Sequence, residues 1–161
     1  MQVKKSHLIT AIIVAISILF IIVLINPFKK NLWDLNSKLL KEKVVSAGQT
    51  VETLNLSDIT PFEWEKVYSF DPYMPKDKIY SVIGYKWDNI SETVSEGMNQ
   101  IVFLNGGKVV CYLYGYPSNN GYGISFDSTD YKDGVATFNL NDNLNFKITK
   151  TDNILYLKQV K

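Results

Sequence analysis

The chain has 161 residues, with 17 lysines and no arginine against 16 acidic residues, and a net charge of +1. That balance argues against nucleic-acid binding, where clustered Arg and Lys supply most of the affinity. Cys111 is the single cysteine and His7 the single histidine. An internal disulfide is therefore excluded, and the part of the chain expected to fold has no imidazole for acid–base work or a His/Cys zinc site.

In chain order, residues 1–7 are a short tail carrying Lys4 and Lys5. Leu8 to Ile25 reads LITAIIVAISILFIIVLI, with Thr10 and Ser17 as the polar breaks. As a helix this segment spans about 27 Å, close to the ~30 Å of a bilayer core. A secretory signal has a shorter apolar region and a small-residue cleavage site. Here the run ends in Asn26-Pro27-Phe28-Lys29-Lys30, with no cysteine for lipid attachment. The expectation is an uncleaved single-pass anchor over 8–25. The lysines after it (Lys29, Lys30, Lys38, Lys41, Lys43) outnumber those before it, which weighs against an outside domain by the positive-inside rule. The short tail and the Tyr, Asn, Ser and Thr richness of the remainder favour an extracytoplasmic domain, and that is the expected placement.

Residues 26–48 are expected to be a helical stalk. Leu32, Leu35 and Leu39 follow helical spacing, Trp33, Leu40 and Val44 form a flanking stripe, and Gly48 is a stop. The domain is expected over 49–161, with an irregular stretch to about residue 61. Trp64, Tyr68 and Phe70 then share a period-2 face, which predicts a strand. Pro75 suits the first turn of a short helix, Lys76 to Ile83, and Gly84 its C-cap. Asn105-Gly106-Gly107 marks a hairpin between strands at 101–104 and 108–114. Further strands are expected at 123–126, 135–140, 144–149 and 154–159. Short links make sequential antiparallel neighbours the default. The fold class read from this order is α+β: one antiparallel sheet with a covering helix.

Residues 111–123, CYLYGYPSNNGYG, concentrate aromatic side chains. By alternation Val109, Cys111 and Leu113 face the core, while Val110, Tyr112, Tyr114 and Tyr116 point the other way. Such a stripe either lies under a helix or loop or forms a recognition surface, since tyrosine gives stiff amphipathic contact area. The candidate partner-binding residues are Tyr112, Tyr114, Tyr116, Asn119, Asn120 and Tyr122.

Glu63 and Glu65, with Asp71 beyond, are the carboxylates open to a hydrolytic role, which needs two of them across a cleft. Asp127, Asp130 and Asp133 in FDSTDYKDG have the wrong spacing for a calcium loop and lack its terminal Glu. No metal and no cofactor is expected.

The block Trp64-Glu65-Lys66-Val67-Tyr68-Ser69-Phe70-Asp71-Pro72-Tyr73 is followed by Pro75 and the helix ending at Ile83-Gly84. With the Gly107–Val110 hairpin and the Pro117–Gly121 loop, it resembles small membrane-anchored or lipoprotein-like extracytoplasmic proteins of Gram-positive bacteria. The likeness covers about residues 60–125 and transfers no catalytic position. The layout is also similar to that of the small membrane protein encoded beside a clostridial class D β-lactamase, which implies an accessory role for a secreted enzyme. The expected function is a non-enzymatic, membrane-anchored accessory or binding protein of the cell envelope, with an envelope protein as partner. The alternatives are a carboxylate-dependent cell-wall hydrolase and an immunity or inhibitor protein that binds a toxin or hydrolase.

Overall fold

The structure, a computed structural model, describes residues 31–48 and 52–161 together with Val14 and Ser17, both helical. The tail at 1–7, the expected anchor at 8–25 apart from those two residues, and the start of the expected stalk lie outside the described residues. Among the described residues no helix is long and apolar enough to cross a membrane.

Residues 32–161 form one folded unit. Its elements are α1 (Leu32–Ala47), β1 (Thr53–Asn55), α2 (Leu56–Ile59), β2 (Lys66–Phe70), α3 (Lys76–Ile83), β3 (Asn99–Asn105) and β4 (Lys108–Gly115). They continue with α4 (Pro117–Asn120), β5 (Tyr122–Ser125), a 3-10 turn (Ser128–Asp130), β6 (Tyr131–Lys132), β7 (Val135–Asn139), β8 (Asn145–Thr151) and β9 (Ile154–Val160).

The α+β class holds, but the single sheet does not. The strands form two sheets, an antiparallel five-stranded one ordered β4-β3-β2-β7-β6 and a four-stranded one ordered β1-β8-β9-β5. Sequential neighbours pair antiparallel in β2–β3, β3–β4, β6–β7 and β8–β9. The expected meander fails where β7 pairs with β2 and where β5 lies parallel to β9. The reason is burial. Leu54, Phe146, Ile148, Leu155 and Leu157 make one apolar face on the four-stranded sheet, and they join one core cluster with Val67, Ile101, Phe103 and Cys111 of the other sheet. Strands β2 and β3 are buried along both faces. Their second face, with Tyr68, Phe70, Val102 and Leu104, forms another cluster with Ile79 and Ile83 of α3.

Local signals act where they were expected. Gly84 adopts φ 90° and donates its N–H to the Tyr80 carbonyl at 2.9 Å, closing α3. Gly106 and Gly107 have φ of 55° and 70° between the paired residues Asn105 and Lys108. Two central residues at positive φ match the twist of a two-residue hairpin.

Two sequence alternations break. Trp64 precedes β2 and enters the inter-sheet cluster, whereas Tyr68 and Phe70 face α3. In β4 the register shifts, so that Phe103 pairs with Cys111 but Leu104 with Val109. The extra residue, Val110, is a β-bulge, and a bulge resets which face each side chain takes. Val110 therefore joins Cys111 and Leu113 in the inter-sheet core, and Val109 joins Tyr112 on the other face. Val109 and Val110 thus exchange the faces that simple alternation gave them, whereas Cys111, Leu113, Tyr112 and Tyr114 keep theirs.

The stalk is also corrected from Leu32 onward. Helix α1 belongs to the folded unit, burying Asn36, Leu40 and Val44. Its leucine stripe is not the buried face: Leu32 is 55% and Leu35 is 37% exposed. The helix lies against β4, the edge of the five-stranded sheet, where unpaired backbone groups need partners. Asn36 and Ser37 supply them, so a polar pair sits where an apolar stripe would otherwise pack.

Candidate functional site

Where α1 meets β4, a cleft of about 400 Å³ opens. One wall is α1, with Trp33, Ser37, Lys38 and Lys41; the other is β4 and α4, with Tyr112, Tyr114, Asn119 and Asn120. Tyr122 also lines it. The structure thus brings together five of the six sequence candidates and leaves Tyr116 outside.

The walls are held by hydrogen bonds between distant segments. The Asn36 Nδ2 donates to the Val110 carbonyl at 2.8 Å. The Ser37 Oγ donates to the Tyr112 carbonyl at 2.7 Å. These side chains replace a missing neighbour strand. On the other side, α4 begins at Pro117, which favours a first helical position. It ends at Gly121, and the Asn120 Nδ2 donates to the Tyr114 carbonyl at 3.1 Å.

The tyrosines divide by burial. Tyr112 is 6% exposed and lies beneath Trp33 and Trp87, edge-on to both, with ring centroids 6.4 and 5.4 Å away. Its hydroxyl donates to the Ser91 carbonyl at 3.3 Å. Burial pushes its pKa up to about 12, against the opposing effect of hydrogen bonds to Ser91 and Gln100. Tyr114 stacks on Tyr112 with centroids 5.7 Å apart, and its hydroxyl donates to the Glu92 carbonyl at 2.8 Å. Tyr122 is buried in the inter-sheet core, and burial raises its pKa as well. Tyr116 and Asn119 are exposed. Tyr112 and Tyr122 are therefore correctly described as core residues whose edges reach a cleft, because each is clamped between packed elements. Tyr114, Asn119 and Asn120 are the candidates with accessible surface in it.

Charge at the rim comes from α1. Lys38 and Asp34 form an exposed pair one helical turn apart, which contributes little to stability. Lys41 lies over Gly121, its Nζ 3.7 Å from where a Cβ there would stand. The cleft thus offers aromatic edges, side-chain amides and two ammonium groups. It can hold a ligand by packing and hydrogen bonding; Cys111, its one nearby thiol, is buried, and burial lifts its pKa to about 12, so it stays a protonated thiol.

The contributions of Trp33, Ser37, Lys38 and Lys41 were missed, since they lie far from β4 in sequence. The one available signal was Asn36-Ser37 interrupting the leucine pattern.

The carboxylates do not converge. Glu63 and Glu65 are exposed, and the Glu65 Oε2 accepts from the Gly106 N–H at 3.2 Å, holding the β3–β4 turn. Asp71 lines a different cleft, which contains neither of them. In FDSTDYKDG, Asp127 caps the 3-10 turn by accepting from the Thr129 N–H at 2.9 Å, and Lys161 bridges to Asp130 at 3.0 Å. Among the described residues no group of His, Cys, Asp or Glu could hold a metal ion.

Compared with protein-family models, curated proteins and solved structures, the chain matches none of them.

Proposed function

We propose that this chain is a non-enzymatic, membrane-anchored accessory protein of the cell envelope, whose extracytoplasmic domain holds a protein partner at the α1–β4 cleft. One observation carries the reading. A rigid, hydrogen-bonded scaffold presents Trp33, Tyr114, Asn119 and Asn120 side by side, with Lys38 and Lys41 at the rim. Aromatic anchors with an adaptable polar surround are the composition of recognition surfaces. The apolar 8–25 segment supports membrane attachment. The scattered positions of Glu63, Glu65 and Asp71 favour binding over carboxylate catalysis. An accessory role beside a secreted enzyme such as a β-lactamase is the specific form that the layout suggests.

The test is site-specific photocrosslinking in intact cells, with the reactive group at Asn119 and a tag after Lys161. A discrete adduct that is lost in the Tyr114→Ala, Lys41→Glu variant supports the cleft as the partner site. The same adducts obtained with the group at Thr137, or none, overturn it. Protease shaving of the same cells checks orientation: the tag should be removed before lysis.

A further inference from the structure

A second cleft, of about 490 Å³, lies at the seam where the ends of β2 and β3 face β5. This is within the roughly 300–1,000 Å³ of ligand sites. It shares no lining residue with the α1–β4 cleft. We propose that it is a glycan-binding site, taking a short, neutral, polyhydroxylated segment that stacks on Tyr156 and hydrogen-bonds to Asp71 and the Ser69–Tyr131 hydroxyl pair.

The seam is built, not a gap. The Asn99 Nδ2 donates to the Ile124 carbonyl at 2.8 Å, and the Ile124 N–H donates to the Asn99 Oδ1 at 3.1 Å. One side-chain amide thus mimics a strand neighbour and ties β3 to the edge of β5. Gly123 sits so close that a Cβ there would stand 2.6 Å from Pro117 Cγ and 3.2 Å from Asn99 Oδ1. The floor is therefore fixed in shape.

The polar groups above it suit a ligand that both donates and accepts. The Ser69 and Tyr131 hydroxyls lie 2.7 Å apart. That bond uses one of their two hydroxyl hydrogens and leaves the other for an acceptor in the cleft. Burial raises the Tyr131 pKa, so its phenol stays protonated and remains a donor. The Asp71 carboxylate, exposed and without a hydrogen-bond donor among the described residues, supplies acceptors. Ser125 and Ser128 add further hydroxyls. Asp71 is the charged side chain of the lining, and no lysine belongs to it, so an anionic ligand is disfavoured. At the rim Tyr156 is 37% exposed on the outer face of the four-stranded sheet, opposite Gly123 in register. The exposed part of this ring is the surface that a sugar's C–H face covers.

The test uses the full-length chain in a zwitterionic, sugar-free detergent, titrated with chitotriose, maltotriose and cellotriose and followed by amide chemical shifts. Saturable shifts at Gly97, Ser125 and Ser128 with at least one sugar are expected. Tyr156→Ala should weaken that affinity about tenfold, the loss of one aromatic contact. Asp71→Asn should weaken it as well. The undisturbed remainder of each variant's spectrum reports that the fold is intact. Absence of saturable shifts with all three sugars overturns the proposal. So do shifts that both variants leave unchanged, or shifts produced at these amides by polyphosphate alone.

Discussion

The Asn36 side-chain amide donates to the Val110 carbonyl across 74 residues of sequence, at 2.8 Å. This bond caps the open edge of β4 at its bulge, and Ser37 caps Tyr112 beside it. The pair explains why α1 presents a polar residue to the domain and leaves two leucines outside. It also reverses the usual expectation for substitutions. Asn36→Leu, which improves the apolar pattern, leaves a buried carbonyl unpaired and should cost about 1–3 kcal/mol. Leu35→Asn, at an exposed site, should change stability by less than about 0.5 kcal/mol. Urea denaturation of the two variants decides it, and equal effects would mean that α1 is held by its leucines after all.

The tyrosines should separate in the same experiment. Tyr112→Ala removes a ring packed under Trp33 and Trp87 and should cost about 3–5 kcal/mol, as large-to-small core changes do. Tyr116→Ala, at a 37% exposed position, should cost under about 0.5 kcal/mol. A variant with all three of Tyr112, Tyr114 and Tyr116 changed to alanine would report unfolding, so loss of a partner must be read from Tyr114 and Asn119. If Tyr112→Ala proves harmless, the aromatic stack is not a core.

Alkaline pH should destabilise the domain. Burial lifts Cys111 from 9.0 and Tyr112 from 10.0 to about 12. Between those values the folded protein keeps protons that the unfolded chain has released, so rising pH favours unfolding. The stabilisation is fully present below pH 9.0 and is lost progressively toward about 12. Each proton contributes a slope of about 1.4 kcal/mol per pH unit. Stability measured at a series of pH values above 8 should fall, and Cys111→Ala should flatten the fall by about one proton. A profile that is level through this range would contradict the burial of both groups.

Gly123→Ala tests the seam. The added methyl would meet Pro117 Cγ at 2.6 Å, a contact that neither a proline ring nor a paired strand yields to easily. Overpacking of this kind costs about 1–3 kcal/mol. Because the methyl also crowds Asn99 Oδ1, the amide protons of Asn99 and Ile124 should lose protection from exchange before those of β8 and β9. Uniform loss across both sheets would mean that the clasp between Asn99 and Ile124 is not a local unit.

Much of the local structure is legible in the sequence. Helix α3 with its glycine cap, the Asn-Gly hairpin and the strands β7 to β9 follow from residue types whose preferences act within a few positions. The scarcity of histidine and cysteine, one of each, is equally plain, since it is read from composition alone. Three particulars required the tertiary structure. The bulge at Val110 is invisible to alternation, because it is set by how β4 pairs with β3. The burial of Asn36 beside Leu40 and Val44 on α1 follows from a partner that is a strand edge, whose needs are polar. The split into two sheets follows from two apolar faces seeking opposing surface, and that depends on segments far apart in the chain. The candidate site shares this origin. Tyr114, Asn119 and Asn120 could be picked out from one loop, but the cleft exists only because residues 33–41 return to cover it. Local preference chose the elements, whereas burial and the pairing of strand edges chose their partners.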